Sequence, residues 1–300
     1  MQKNKTTVSF LGLGTMGFPM AGHLANAGFE VMVYNRTESV ADRWLQTYQG
    51  VKALTPAEAA KNAEFVITCV GNDDDVLNIF SGETGIFSTL PDGGICMDHT
   101  TTSATLAEDM AGFAKELGHQ FLDAPVSGGQ AGAEQGILTV MVGGDADAYE
   151  KAEPVMQAYA KSVKRIGEAG FGQRCKMVNQ ICAAGVIQGL AEGLALAQKS
   201  GIDADTVLGA LQHGAASSWQ MVNRTQTMMN DEFDFGFAVD WMRKDLGICL
   251  EEAEKLGLEL PMTKGVDDAY ALLQKAGHQR SDTSVLIKQF DLFDKENDVS

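Results

Sequence analysis

Basic residues are scarce. Lys and Arg number 23 against 40 Asp and Glu, a formal net charge of −17, and no basic cluster interrupts the acidic background. Such a surface repels nucleic acid and anionic lipid, so neither nucleic acid nor membrane is expected as a partner. Cysteine is sparse too: Cys69, Cys96, Cys175, Cys182 and Cys249 are an odd number, widely spaced, with no C-x-x-C pair. This excludes a disulfide framework and a zinc finger, and reads as reduced core residues of a cytoplasmic protein. The five histidines are equally dispersed and show no H-x-x-H or H-E-x-x-H spacing, so no metal site is expected. No apolar signal core follows the N-terminal MQKNKTT. The longest uncharged run, Met177 to Ala191, carries Asn179, Gln180 and Gln188 and is too short and too polar for a bilayer span.

What is present is alternation. Up to about residue 166, β-rich runs at 8–12, 30–34, 64–70, 94–98, 119–126, 137–144 and 162–167 alternate with amphipathic helical stretches. The runs are apolar on both faces, as in strands covered by helices on both sides. TPAE at 55–58 predicts a helix start, with Thr55 as cap, Pro56 in the first turn and Glu58 closing a capping box. Gly28 and Gly118 fall just past predicted helix ends. Beyond GEAGFG (167–172) no strand is expected. A helix of roughly 28 residues from Gln173 to about Ser200 leads into helices at 203–213, 217–230, 238–256, 262–276 and 281–293. The expected fold is therefore α/β: a Rossmann-type, doubly wound parallel sheet over 1–167. An all-α domain over 168–300 follows it, joined by a long connector helix. Met221, Met228, Met229 and Met242 exceed what a small helical domain needs, which points to a homo-oligomer.

Within this frame, VSFLGLGTMG (8–17) places Gly12, Gly14 and Gly17 in G-x-G-x-x-G spacing. The pattern follows a strand, opens a helix, and is followed by a second strand ending near Asn35. These are the context tests for a dinucleotide turn, in which backbone N–H groups of Gly12, Leu13, Gly14, Thr15, Met16 and Gly17 face pyrophosphate at a helix N-terminus. Val70, Gly71 and Asn72, at the end of another strand, are expected beside it. An acidic residue after the second strand would repel a 2′-phosphate. Asn35, Arg36 and Thr37 stand there instead, so NADP(H) is expected, with NAD(H) the alternative. Three further stretches look like site loops. DHTTTS (98–103) sits at a strand's carboxyl end, DAPVSGGQAGAEQG (123–136) is glycine-rich, and GFGQRCKMVNQ (170–180) puts Asn179 and Gln180 at i+3 and i+4 from Lys176. His99 is expected to pack behind the sheet rather than reach the site.

Taken together, the chain resembles the β-hydroxyacid dehydrogenases, the family of 3-hydroxyisobutyrate dehydrogenase, nearly end to end. The likeness rests on GLGTMG, DAPVSGG, the Lys176 helix and WMRKDL with Lys244 and Asp245. The resemblance implies Lys176 as general acid and base, and Ser127, Gly128 and Gly129 as binders of the substrate carboxylate. It implies a substrate-contacting amide at Asn179 or Gln180, Thr100 and Thr101 on the nicotinamide side, and Lys244 beside cofactor or substrate. Asp245 and Phe237 join the substrate set, Phe237 and Trp241 being equally suited to core packing. A lysine at its ordinary pKa of ~10.4 is a poor base near neutrality, so desolvation and a neighbouring Lys244 are expected to lower it. The implied reaction interconverts a short 3-hydroxycarboxylate and its semialdehyde. Reduction of glyoxylate or another semialdehyde, or serine oxidation, is the alternative, and an imine reductase or a non-catalytic dinucleotide binder is more remote. The 6-phosphogluconate enzymes place a histidine where Asn179 stands.

Overall fold

The computed structural model describes residues 6–292. The chain divides into two units, Met1–Lys176 and Met177–Ser300. The first is built on a nine-stranded sheet: β1 (Thr7–Leu11), β2 (Glu30–Tyr34), β3 (Val51–Lys52), β4 (Phe65–Thr68), β5 (Ile95–Asp98), β6 (Gln120–Asp123), β7 (Val126–Ser127), β8 (Leu138–Gly143) and β9 (Ala160–Gly167). Strand order is β3-β2-β1-β4-β5-β6-β8-β7, with β9 on β8. From β3 to β6 every pairing is parallel. Helices α1 (Gly17–Asn26), α2 (Glu38–Thr47), α3 (Pro56–Ala60), α4 (Asp73–Ser81) and α5 (Ala104–Glu116) connect these strands.

Both faces of the sheet are buried, and successive residues on a strand serve opposite cores. Val66, Cys96 and Phe121 join Leu11 and Phe80 on one face; Ile67, Met97 and Leu122 join Phe10, Leu24 and Trp44 on the other. Gly28 and Gly118 take positive φ at helix ends as expected. Thr55 caps α3 by accepting from Glu58 N, but the Glu58 carboxylate accepts from Leu54 N, one residue earlier than a capping box requires.

The far edge departs from a purely parallel reading. β8 runs antiparallel to β6 and β7 and parallel to β9. Only ten residues (128–137), including the short α6 (Gly129–Gln135), separate β7 from β8. A parallel crossover needs a dozen or more. The expected strand over 119–126 is split at Ala124-Pro125 into β6 and β7, and the two-residue β3 carries too little pattern to be read. Helix α7 (Ala146–Met156) packs on β9, β5 and β6.

The long helix, α8, spans Phe171–Lys199. The sequence pattern changes at 167–168, yet the units part at Lys176/Met177. The first turns of α8 belong with the sheet because they are tied to it: Arg174 reaches Glu108 at 2.7 Å, and Gly170 N, Gln173 N and Lys176 Nζ find acceptors on the loops described below.

The second unit holds the rest of α8 with α9 (Ala204–Leu211), α10 (Trp219–Met229), α11 (Val239–Lys255) and α12 (Pro261–Lys275). By length and composition α8 could cross a membrane, contrary to the reading of its uncharged run. Its Ala184, Ile187, Ala191 and Leu194, spaced at 3, 4 and 3, instead pack against Leu246, Tyr270, Leu273 and Leu286. Met221, Met228 and Met242 are buried in that same core, so they do not mark an association surface. Cys96 and Cys249 are buried, whereas Cys182 is exposed and is not the core residue expected. The helix expected over 281–293 is a 3-10 helix, Thr283–Lys288, followed by a short helical turn to 292. Asp282 draws Ser284 N and Ser284 Oγ onto one oxygen (3.1 and 2.6 Å) and tightens the chain. Residue 293 lies outside the described residues.

Candidate active site

The glycine turn runs from the end of β1 into α1, at the point where β1 lies between β2 and β4 and the chain order reverses. Its three glycines do three different things. Gly12 has φ +97°, and a Cβ there would fall on the Cys69 carbonyl oxygen. A Cβ on Gly17 would fall on Gly12 O, so Gly17 lets helix and turn close up. Gly14 has nothing within 4 Å of a would-be Cβ. Gly14 and Thr15 are exposed, and Met16 caps α1 without a side-chain bond. The open backbone face at Gly14 and Thr15 and the N-terminus of α1 form the cradle that a pyrophosphate fits.

The flanking loops are braced from below. Asn35 Oδ1 accepts from Leu13 N at 2.9 Å and Asn35 Nδ2 donates to Thr37 O at 3.0 Å, so this amide shapes the turn itself. Arg36 is 86% exposed and pairs with Asp75 at 3.0 Å. Thr37 starts α2 without a side-chain cap bond. After β4, Val70 N donates to Thr100 Oγ1 at 3.0 Å; past Gly71, Asn72 caps α4 by accepting from Asp75 N.

Thr100 turns its hydroxyl into its own loop. It is 2% exposed and donates to Asp98 Oδ1 at 2.6 Å, which also accepts from Thr68 Oγ1 at 2.7 Å and Thr100 N at 3.1 Å. Thr100 is thus an anchor of its loop, and Thr101 is the half-buried member of the pair. His99 packs behind the sheet. Its Nδ1–H donates to Ala124 O (2.6 Å), its Nε2 accepts from the Tyr159 hydroxyl (2.8 Å), and burial pushes its pKa down to about 4.

Lys176 is 8% exposed and its Nζ donates to Val126 O at 2.9 Å. That carbonyl immediately precedes Ser127, Gly128 and Gly129. Gly128 and Gly129 take φ +134° and +61° and are exposed, so their amides are open to an anion beside the ammonium. Two buried side chains hold this arrangement, and neither was singled out from sequence. Asp123 accepts from Gly170 N (2.8 Å) and Gln173 N (2.9 Å); burial pushes its carboxyl up to about 6. Gln173 accepts from Thr102 N (3.1 Å) and donates to Thr100 O (2.8 Å). A third, Asp73, accepts from Ser103 Oγ at 2.7 Å and ties the starts of α4 and α5. A visible signal was an aspartate closing each of two apolar strands, a position that demands partners.

In the helical unit, Asn179 Nδ2 donates to Gln180 Oε1 (2.7 Å) and Gln180 Nε2 to Asp245 Oδ2 (2.6 Å). Lys244 Nζ lies 3.3 Å from Asp245 Oδ1 and 5.9 Å from the Trp241 ring. Gln180 and Asp245 are buried, and Asn179 and Lys244 are half-buried at the two ends of this bonded series. Phe237 packs against the helical core, and its N–H donates to Asp282 at 2.9 Å, so it takes the packing role. Among the described residues no group of three His, Cys, Asp or Glu side chains is placed to hold a metal ion.

Fold and turn define a dinucleotide-binding oxidoreductase with a lysine beside an anion-binding segment. Residues 7–167 match the NAD-binding domain of 6-phosphogluconate dehydrogenase, and 170–290 match the NAD-binding region of NADP-dependent 3-hydroxyisobutyrate dehydrogenase. The chain is 51% identical to an uncharacterized oxidoreductase of Shewanella frigidimarina over 95% of this chain and 98% of that one. It is 36% identical to the probable mitochondrial 3-hydroxyisobutyrate dehydrogenase-like protein 1 of Arabidopsis thaliana, over 95% and 85%. Among solved structures, the Mycobacterium tuberculosis 3-hydroxyisobutyrate dehydrogenase with L-serine superposes with a TM-score of 0.85 at 30% identity, over 95% and 99%. The protein belongs to the 3-hydroxyisobutyrate dehydrogenase-like family of NAD(P)-dependent hydroxyacid dehydrogenases and is an oxidoreductase acting on hydroxyl donors.

Proposed function

We propose that the protein interconverts a short 3-hydroxycarboxylate and its semialdehyde with NADP(H), Lys176 acting as general acid and base. The observation that supports this most is the Lys176 ammonium on Val126 O, one residue before the segment of half-buried Ser127 and exposed Gly128 and Gly129. The segment's hydroxyl and amides bind the substrate carboxylate and so fix which carbon lies near the amine. In reduction, Lys176 donates its proton to the oxygen that gains negative charge; in oxidation, the neutral amine removes the hydroxyl proton. Val126 O holds the ammonium in place between turnovers. The bound dinucleotide supplies or accepts the hydride. Lys244, held on Asp245, is the helical unit's candidate contact for a negatively charged group.

The NADP(H) preference is supported by neutral Asn35 and Thr37 flanking an exposed Arg36, whose guanidinium would exchange its partner Asp75 for a 2′-phosphate. Serine is the second substrate reading, favoured by the L-serine in the Mycobacterium tuberculosis structure. The test is a panel of 3-hydroxyisobutyrate, L-serine, threonate and glyoxylate with each dinucleotide, read by reduced-nicotinamide absorbance in both directions. Turnover of 3-hydroxyisobutyrate with NADP+ is expected; a panel without turnover overturns the reading. We further propose a homodimer or homotetramer, which a monomer mass in light scattering would refute.

A further inference from the structure

We propose that Asp123 is a positioning residue for the reaction, its carboxylate holding the Lys176 amine in register with the Ser127–Gly129 segment through the first turns of α8. The inference rests on Lys176 being the acid and base. Its basis is a closed ring of short links. Asp123 Oδ1 and Oδ2 take Gly170 N and Gln173 N at 2.8 and 2.9 Å. Lys176 lies just under one helical turn beyond Gln173, on the same face. Its Nζ returns to Val126 O at 2.9 Å, and Val126 is three residues from Asp123 along the chain. One carboxylate therefore sets both ends of the lysine's tether: the helix it grows from and the strand it reaches.

Two features show that the carboxylate has been accommodated specifically. A Cβ on Gly143 would fall on Asp123 Oδ1, and one on Gly172 would meet Met141 O and Asp123 O at 2.5 and 2.6 Å as well as Asp123 Oδ2 at 2.7 Å. These glycines leave space for the acid at a fully buried strand end. Burial also raises its pKa to about 6, so a neutral side chain would sit there at lower desolvation cost. Gln173 carries the same clamp outward, to Thr100 O and Thr102 N after β5. A role confined to holding the sheet would need none of the α8 bonds.

The decisive variant is Asp123→Asn, which turns one of the two acceptors into a donor facing a backbone N–H. Asp123→Ser, which keeps one small acceptor, takes its place if the amide variant does not fold. Hydrogen exchange of the intact protein should accelerate over 168–178 and 124–129 together. Acceleration confined to 168–178 overturns the ring. With NADP+ and 3-hydroxyisobutyrate, or L-serine where that is faster, kcat should fall about 100-fold, the range of a misplacement near 1 Å. KM and NADPH affinity should stay within about threefold. Adding the substitution to Lys176→Met should cost nothing further, because the amine it positions is gone. A full additional loss in that background, or an unchanged kcat in the single variant, refutes the positioning role. If Lys176→Met alone keeps wild-type turnover, the acid/base reading fails instead, and the exchange comparison still decides the tether.

Discussion

His99 should remain neutral well below the pH at which an ordinary histidine charges, and this should appear as a stability difference of calculable size. Burial holds its pKa near 4 against an ordinary 6.5, the carbonyl of Ala124 offsetting a little of that depression. As pH falls, the unfolded chain takes up the proton first, so the contribution is full above about 6.5 and is lost progressively toward about 4. At about pH 5 the unfolded state gains roughly 2 kcal/mol from this one group relative to neutrality. Asp123 opposes it: with its carboxyl raised to about 6, the folded chain protonates first and gains stability as pH falls from there. A bare pH–stability curve would therefore show little. The perturbation is His99→Asn, which removes one titration and leaves the other. Near pH 7 it leaves the Tyr159 hydroxyl and Ala124 O without their partner, at about 3 kcal/mol by urea unfolding. At about pH 5 the gap to wild type should narrow by roughly 2 kcal/mol, since wild type has lost what the variant never had. The His99 ring resonance, followed directly, should show no midpoint near 6.5. A gap constant with pH, or a normal titration, would falsify the assigned burial and tautomer.

The other predictions concern the turn, the ribose end and the lysine. Gly14→Ala should leave the thermal midpoint unchanged, because nothing lies within 4 Å of the added carbon, yet weaken NADPH binding about tenfold by fluorescence titration. Gly17→Ala should lose about 3 kcal/mol of folding stability, since its carbon would meet Gly12 O and the Phe10 ring. Unequal behaviour of the two glycines is the check; equal losses would contradict it. Asn35→Asp keeps the acceptor for Leu13 N and adds a charge that repels a 2′-phosphate. The ratio of kcat/KM for NADP(H) over NAD(H) should fall about tenfold or more. Lys176→Met should lose about 100-fold or more in kcat with NADPH affinity retained, and a wild-type rate would remove the lysine from the chemistry.

Much of this was legible because it is written in local pattern. Strands apolar on both faces announce a covered sheet, and the three glycines announce a turn whose geometry demands Gly12 and Gly17 and leaves Gly14 open. Lys176 was legible as an isolated charge in an apolar helix. The antiparallel edge was not, because β6 and β7 run together as one apolar stretch over 119–126 and nothing in its alternation marks the break at Ala124-Pro125. The methionines misled for a related reason: burial is decided by which helix faces meet, and Met221, Met228 and Met242 met inside.

The site residues that escaped the sequence share one property. Asp123 and Gln173 act on backbone groups distant in the chain, and Asp98 on the Thr68 hydroxyl 30 residues away, spans that no short motif records. Thr100 shows the same limit from the other side, since its place on the loop says nothing of its hydroxyl, which is turned to Asp98. A strand-terminal aspartate at 0 or 1% exposure is nevertheless a strong physical signal once burial is known. Its charge is costly without donors, the donors it recruits are backbone N–H groups of loops, and loops at strand ends carry the chemistry. The acids that look most misplaced in the apolar runs are thus the ones that fix where the reactive groups stand.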